Sequence, residues 1–387
     1  MIIQAARRTE SVKEYYFSKK NREIAELNAD GRTEPIINLG IGSPDGRPPQ
    51  AAIDELCVTA VRNGVHAYQS YTGIPELRKA FAGWYDRWYG VELDPAKEIQ
   101  PLTGSKEGIL ITSLAFLNKG DKVLVPDPGY PTYSSAARLC EAEIVYYDLV
   151  ESRGWQPDLE ALEASDLSGV KMMWTNYPNM PTGAPADPGL YEKLVDFGRR
   201  HGILICNDNP YSFILTENHY SILSVPGAKD CCLELNSLSK AHNMAGWRLG
   251  MVASSADVIY EILKVKSQLD SGIFRPLQLA AVEALAQGPE WFKELNAEYE
   301  RRCVAAGKLF DALGIKYNPA SQGLFLWGKV PEGVDPVALS DKLLHEAGVF
   351  ITPGFIFGHN GEKYMRVSLC ATVEKLGRAL EKIKAVI

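Results

Sequence analysis

The sequence predicts an α/β fold: a mostly parallel central sheet covered by helices, joined to a smaller α+β domain. Three observations carry this. The chain has 387 residues, enough for one large and one small domain or for two of similar size. From about residue 50 to residue 255, short apolar runs alternate with helical patterns. That alternation marks strands buried on both faces by intervening helices. After Phe274 the pattern changes to long amphipathic helices with a few strands. The expected division is 46–280 for the large domain, and 1–45 with 281–387 for the small one.

Taken in order, the helical stretches include 75–89 (PELRKAFAGWYDRWY) and 187–201 (DPGLYEKLVDFGRRH). The apolar runs include KVLVP at 122–126, VKMMWT at 170–175, ILICN at 203–207 and CCLELN at 231–236. Helices over 289–312, 335–347 and 373–386 follow, with LFLWGKV and MRVSL as strands.

Composition narrows the function classes. Hydrophobic residues make up 46% and charged residues 23%, ordinary for a soluble globular protein. A formal charge of −7 without long charge runs speaks against a nucleic-acid or membrane surface as partner. No apolar run reaches spanning length, and the opening MIIQAARRTESVKEYYFSKK lacks the apolar core of a signal peptide. Seven cysteines show no CxxC or other metal-type spacing, and Cys206, Cys231 and Cys232 fall in apolar strand-like runs. They read as small core residues of a reduced, cytoplasmic protein with no metal site.

In an open α/β sheet, ligands bind beyond the carboxyl ends of the strands. After IQPLT comes Gly104-Ser105-Lys106-Glu107-Gly108, opening a helix. After KVLVP comes Asp127-Pro128-Gly129-Tyr130, and after VKMMWT comes Asn176-Tyr177-Pro178-Asn179-Met180-Pro181-Thr182-Gly183. After ILICN comes Asp208-Asn209-Pro210-Tyr211. After CCLELN comes Ser237-Leu238-Ser239-Lys240, with Arg248 eight residues beyond. Each alone has a plain structural explanation: Gly104-Ser105 as a capped turn, Asp208-Asn209-Pro210 as a turn former, Lys240 as a surface lysine, Arg248 as a strand-edge ion pair. Together they put hydroxyls, an arginine, an acid, an aromatic and a lysine on one rim. That is the inventory a phosphorylated aromatic aldehyde cofactor requires.

With these motifs in this order, and with YQSYTGIPELR from Tyr68, the chain resembles the class I/II aminotransferases over essentially its whole length. These are the fold-type I pyridoxal 5'-phosphate (PLP) enzymes. The resemblance implies that Lys240 carries PLP as a Schiff base and shuttles the α-proton during ping-pong amino transfer. It places Asp208 against the pyridine nitrogen, which a carboxylate keeps protonated. It has Tyr211 donating to the ring hydroxyl and Tyr130 stacked on the ring. The phosphate falls to Gly104, the backbone of Ser105 and Lys106 at a helix N-terminus, Ser237, Ser239 and Arg248. Tyr68 is expected to reach the phosphate of a neighbouring subunit, which implies a homodimer with shared sites. Arg366, in MRVSL, matches the arginine that clamps the α-carboxylate of the amino-acid or 2-oxo-acid substrate, and Gly42 the glycine whose backbone meets the same group. One departure stands out: the family carries Asn directly before Pro-Thr-Gly, where this chain has Met180, and Asn179 one place earlier is the expected substitute at both cofactor and substrate.

Other functions fit less of the chain. GIGSPDG has Gly40 and Gly42, but Asp45 stands where a dinucleotide fingerprint needs its third glycine. No GxxxxGK[ST] motif occurs. A PLP-sensing regulator needs an added DNA-binding domain, whereas here the family motifs begin by residue 40. A PLP-dependent carbon–sulfur lyase or decarboxylase would share Lys240, Asp208 and Arg248, and stays open. GSKEG and Asp270-Ser271-Gly272-Ile273-Phe274 resemble the branch holding diaminopimelate, alanine and aspartate aminotransferases. Arg275, directly after, is a candidate partner for a distal substrate carboxylate.

Overall fold

The structure, a computed structural model, describes residues 3–30 and 34–387. The stretch 1–45 expected in the small domain therefore lies outside the described residues at 1–2 and 31–33. In chain order the strands are β1 (Ile37–Asn38), β2 (Ile99–Leu102), β3 (Lys122–Asp127), β4 (Glu143–Asp148), β5 (Val170–Thr175), β6 (Leu204–Asp208), β7 (Cys232–Ser237), β8 (Gly250–Ala253), β9 (Lys316–Tyr317), β10 (Phe325–Lys329), β11 (Val349–Phe350), β12 (Thr352–Pro353) and β13 (Tyr364–Ser368).

Seven of them form one sheet in the order β2-β8-β7-β6-β5-β3-β4. Its β4, β3, β5, β6 and β7 run parallel, while β8 is antiparallel to both neighbours. Side chains alternate between faces along a strand, and both faces here are apolar. Val123, Val125, Met172, Trp174, Leu233 and Leu235 pack into one buried cluster; Leu124, Met173, Ile205 and Cys232 pack into another. Continuous apolar runs such as VKMMWT are the sequence form of this double burial. Each of the valine, leucine, isoleucine and methionine side chains contributes roughly 1.5–3 kcal/mol on removal from water.

The helices end where the local chemistry says they should. Pro75–Tyr89 starts on a proline and stops at Gly90, whose φ of 64° lets its N–H reach back to Asp86 O. Pro188–His201 is capped by the Asp187 side chain, which accepts from Gly189 N. Pro289–Ala312 agrees with expectation at both ends. The expected helix 335–347 is α only over Pro336–Lys342 and widens to a π turn over Leu343–Ala347. Strands β4 and β8 were not among the expected runs, β4 because it is an edge strand with mostly polar or half-exposed residues.

The second sheet, β12-β13-β10-β9, is antiparallel. Short β1 pairs in parallel with β11, which ties the N-terminal stretch to the C-terminal third. Among the described residues no helix is long and apolar enough to cross a membrane, and no cluster of His, Cys, Asp or Glu could hold a metal ion.

Candidate active site

The carboxyl ends of β5, β6 and β7 open onto a cavity of about 560 Å³. At the end of β7 the Ser237 hydroxyl accepts from Ser239 N at 3.2 Å. This caps the single helical turn Leu238–Ala241 and aims Lys240 into the cavity. Its Nζ donates to Gly42 O at 2.5 Å, reaching 198 residues along the chain. Burial lowers the proton affinity of this amine, and the Arg366 and Arg248 charges push the same way.

Asp208 ends β6 and is 5% exposed. Its Oδ2 accepts from the Tyr133 hydroxyl at 2.9 Å, while its Oδ1 is buried with no partner. Burial raises its pKa to about 7, against the pull of the Tyr133 hydroxyl and the Lys240 charge. An unpaired buried carboxylate oxygen is costly, so this atom is set for a donor from a ligand.

Arg366, central in β13, is 4% exposed. Its Nη2 donates to Gly40 O at 2.7 Å and its Nη1 to the Met180 sulfur at 3.2 Å. The guanidinium lies 3.8 Å from the Phe325 ring centroid and 4.5 Å from that of Phe357. Burial lowers its pKa to about 10, leaving it charged at neutral pH. Among the described residues, four lining side chains are basic (Lys106, Lys240, Arg248 and Arg366) and Asp208 alone is acidic, so the cavity favours anionic ligands.

Most of the expected residues meet here. Gly42, Ser105, Lys106, Tyr130, Asp208, Tyr211, Ser237, Ser239, Lys240, Arg248 and Arg366 all line the cavity. Ser105 begins the helix Ser105–Phe116, whose first-turn residues Ser105 and Lys106 line the space and whose N-terminus favours an anion. Gly104 lies just outside with a φ of 84°, and a side chain there would strike the Arg248 guanidinium.

Two expectations need correction, those for Asn179 and Arg275. Asn179 does not line the cavity. Its Oδ1 accepts from the Thr182 hydroxyl at 2.7 Å and its Nδ2 donates to Asn176 O at 3.1 Å, so the amide is consumed within its own loop. Arg275 stands outside as well, with its Nη2 3.5 Å from Glu76 Oε1 at the surface. Tyr68, expected to act on a neighbouring subunit, is 90% exposed and stands apart from the cavity of its own chain.

Other lining residues went unpredicted. Tyr133 follows Tyr130 by three residues, one turn along the helix Pro131–Leu139, and that spacing was the available signal. Tyr15 and Phe17 line the cavity from the N-terminal segment, and their signal was the aromatic run YYF in an otherwise charged stretch. Asn176 lines it too, but Nδ2 is spent on Asp208 O and Oδ1 on Met180 N.

Comparison with known proteins agrees with this geometry. The family model for aminotransferase class I and II matches residues 34–383. The chain is 38% identical to an LL-diaminopimelate aminotransferase of Moorella thermoacetica, over 100% of this chain and 99% of that one. It is 39% identical to an enzyme of the same name from Nitratidesulfovibrio vulgaris, over 98% of each. Among solved structures, substrate-bound BacF from Bacillus subtilis superposes with a TM-score of 0.94 at 32% identity, covering 99% of this chain and 98% of that one. A single mutant of Thermus thermophilus aspartate aminotransferase gives 0.91 at 27% identity, covering 100% of both. With a lysine, an aspartate and an arginine converging on one cavity, and the family pattern running through nearly its whole length, this chain belongs to the class I and II aminotransferases.

Proposed function

We propose that the protein moves an amino group between an amino acid and a 2-oxo acid with pyridoxal 5'-phosphate, that Lys240 is the residue that holds the cofactor, and that the working unit is a homodimer. The observation that carries the cofactor is the buried, partnerless Asp208 Oδ1. It sits in the same cavity as a lysine, with serine hydroxyls and Arg248 at a helix N-terminus. A protonated pyridine nitrogen would satisfy that oxygen, and a phosphate would satisfy the basic rim. When bound, the cofactor supplies an electron sink for the substrate α-carbon.

The chain's own groups do the rest. Arg366 binds the substrate carboxylate, for which a planar guanidinium is suited. Lys240, its proton affinity lowered by burial, would carry the proton from the substrate α-carbon to the carbon that was the cofactor's aldehyde carbon, and back in the reverse direction. Asp208 holds a proton on the ring nitrogen. Burial raises the Tyr211 pKa, so its hydroxyl stays protonated and acts as a donor. Tyr15, Phe17, Phe325 and Phe357 exclude water from these charges.

In this proposal residues 46–280 hold the cofactor, and 1–45 with 281–387 close on the substrate. Tyr68, exposed together with Tyr71, Leu269 and Phe274, belongs to the face given to the second copy. The relatives named for LL-diaminopimelate make that amino acid the first to test, with 2-oxoglutarate as acceptor.

Borohydride reduction followed by peptide mapping tests the assignment. The reduced cofactor is expected on Lys240, and Lys240→Ala is expected to abolish both labelling and turnover. Label on another lysine would overturn it. A single half-reaction yielding the free 2-oxo acid and pyridoxamine phosphate separates amino transfer from lyase or decarboxylase chemistry.

A further inference from the structure

The partners of Arg366 are uneven. Nη2 has a carbonyl at 2.7 Å, Nε is buried with no partner, and Nη1 has the Met180 thioether at 3.2 Å. Sulfur of this kind is a weak acceptor, and a buried charged donor left to it is poorly satisfied. The amide oxygens of the Met180 loop, which are stronger acceptors, are engaged within that loop. The Asn176 and Asn179 amides are tied into the 176–182 loop and to Asp208 O. Met180 itself is 5% exposed and lines the cavity, so it is held against the guanidinium by packing. An oxygen in its place would compete with an incoming carboxylate, whereas a hydrocarbon would leave Nη1 bare.

We propose that Met180 is a positioning residue for substrate binding: its thioether holds Nη1 of Arg366 while the site is free of substrate and yields it to the carboxylate of the incoming amino acid. This rests on the carboxylate role given to Arg366 above. The sulfur forms and breaks no covalent bond. It gives up one weak hydrogen bond as the carboxylate makes a charge-assisted one.

The test uses the cofactor-loaded enzyme and propionate, a carboxylate that cannot react. Dissociation constants come from the change in cofactor absorbance, and thermal midpoints are read with and without saturating propionate. Met180→Leu keeps the volume but removes the acceptor. Its propionate affinity is expected to rise about threefold, and its midpoint to fall without propionate and recover with it. Met180→Gln offers a stronger acceptor and is expected to weaken propionate binding by a similar factor. Opposite signs from the two variants support the proposal. If Met180→Leu loses the same midpoint in both conditions with unchanged affinity, Met180 only fills space and the proposal fails, while Arg366 keeps its role. If Arg366→Ala binds propionate as well as the parent enzyme does, the carboxylate role and the proposal fall together.

Discussion

Asp208 and Arg366 face one cavity with opposite charges and are held in different ways. Asp208 closes a parallel ladder, in register with Leu235 of β7, and a full-strength hydroxyl donor fixes one of its oxygens at 2.9 Å. Arg366 is equally fixed in its backbone, in register with both Trp327 and Thr352. Its guanidinium, however, rests on aromatic faces, one carbonyl and a thioether. One charge is locked with a single atom to spare; the other is cradled by groups that give way. A site that keeps one ligand through many turnovers and exchanges another at each turnover calls for both arrangements.

The largest expected effect comes from breaking the cradled side. Arg366→Ala removes two charge-assisted hydrogen bonds to a carboxylate, each worth roughly 1.5–3 kcal/mol. The value of kcat/KM should fall about 10²- to 10⁴-fold, measured by steady-state kinetics. Arg366→Lys should recover only part, since an ammonium cannot make the paired contact.

On the locked side the comparison sharpens through pH. The Asp208 pKa is raised to about 7 in the protein without cofactor, above an unfolded value of roughly 3.9. The folded state therefore binds the proton more tightly than the unfolded state does. Its contribution is fully present below the unfolded pKa and is lost as pH rises through about 7. Thermal midpoints of the cofactor-free protein between pH 4 and 8 should decline for this reason, and less steeply in Asp208→Asn. Loading the cofactor should flatten the decline, because a cationic partner then meets Oδ1.

Tyr133→Phe removes the one donor to Oδ2 and so unlocks Asp208. The aspartate should hold its proton to higher pH, and kcat should fall about tenfold at neutral pH, the scale of one hydrogen bond to a charged group. The smallest effect is expected at Arg275, whose partner is an exposed glutamate. Arg275→Ala should change stability by no more than about 1 kcal/mol. Its kcat/KM values for glutamate and alanine should remain in the same ratio; a selective loss with glutamate would bring Arg275 back to the substrate.

The locked side was far more legible in the sequence than the cradled one. Lys240, Asp208 and Tyr211 each follow a short apolar run, with Arg248 eight residues beyond Lys240, and runs ending on one rim follow from strand alternation and right-handed crossovers. Arg366 was found by likeness of motif, not by pattern, since MRVSL alone reads as an ordinary strand. Asn179 was misplaced because adjacent residues in an irregular loop point in unrelated directions, and spacing carries no information about which amide turns inward. Arg275 was misplaced because proximity in sequence to the DSGIF segment does not fix where a long side chain ends.

The sequence by itself determined the elements and their burial, because periods of two and 3.6 residues, proline and glycine stops, and side-chain caps act over a few neighbouring residues. It also determined which chemical groups reach the strand ends. Only the tertiary structure decided who touches whom there. Tyr133 meets Asp208 across 75 residues, and Met180 meets Arg366 across 186. Such contacts depend on how two sheets and a loop close on one another, a geometry that no local pattern of residues encodes.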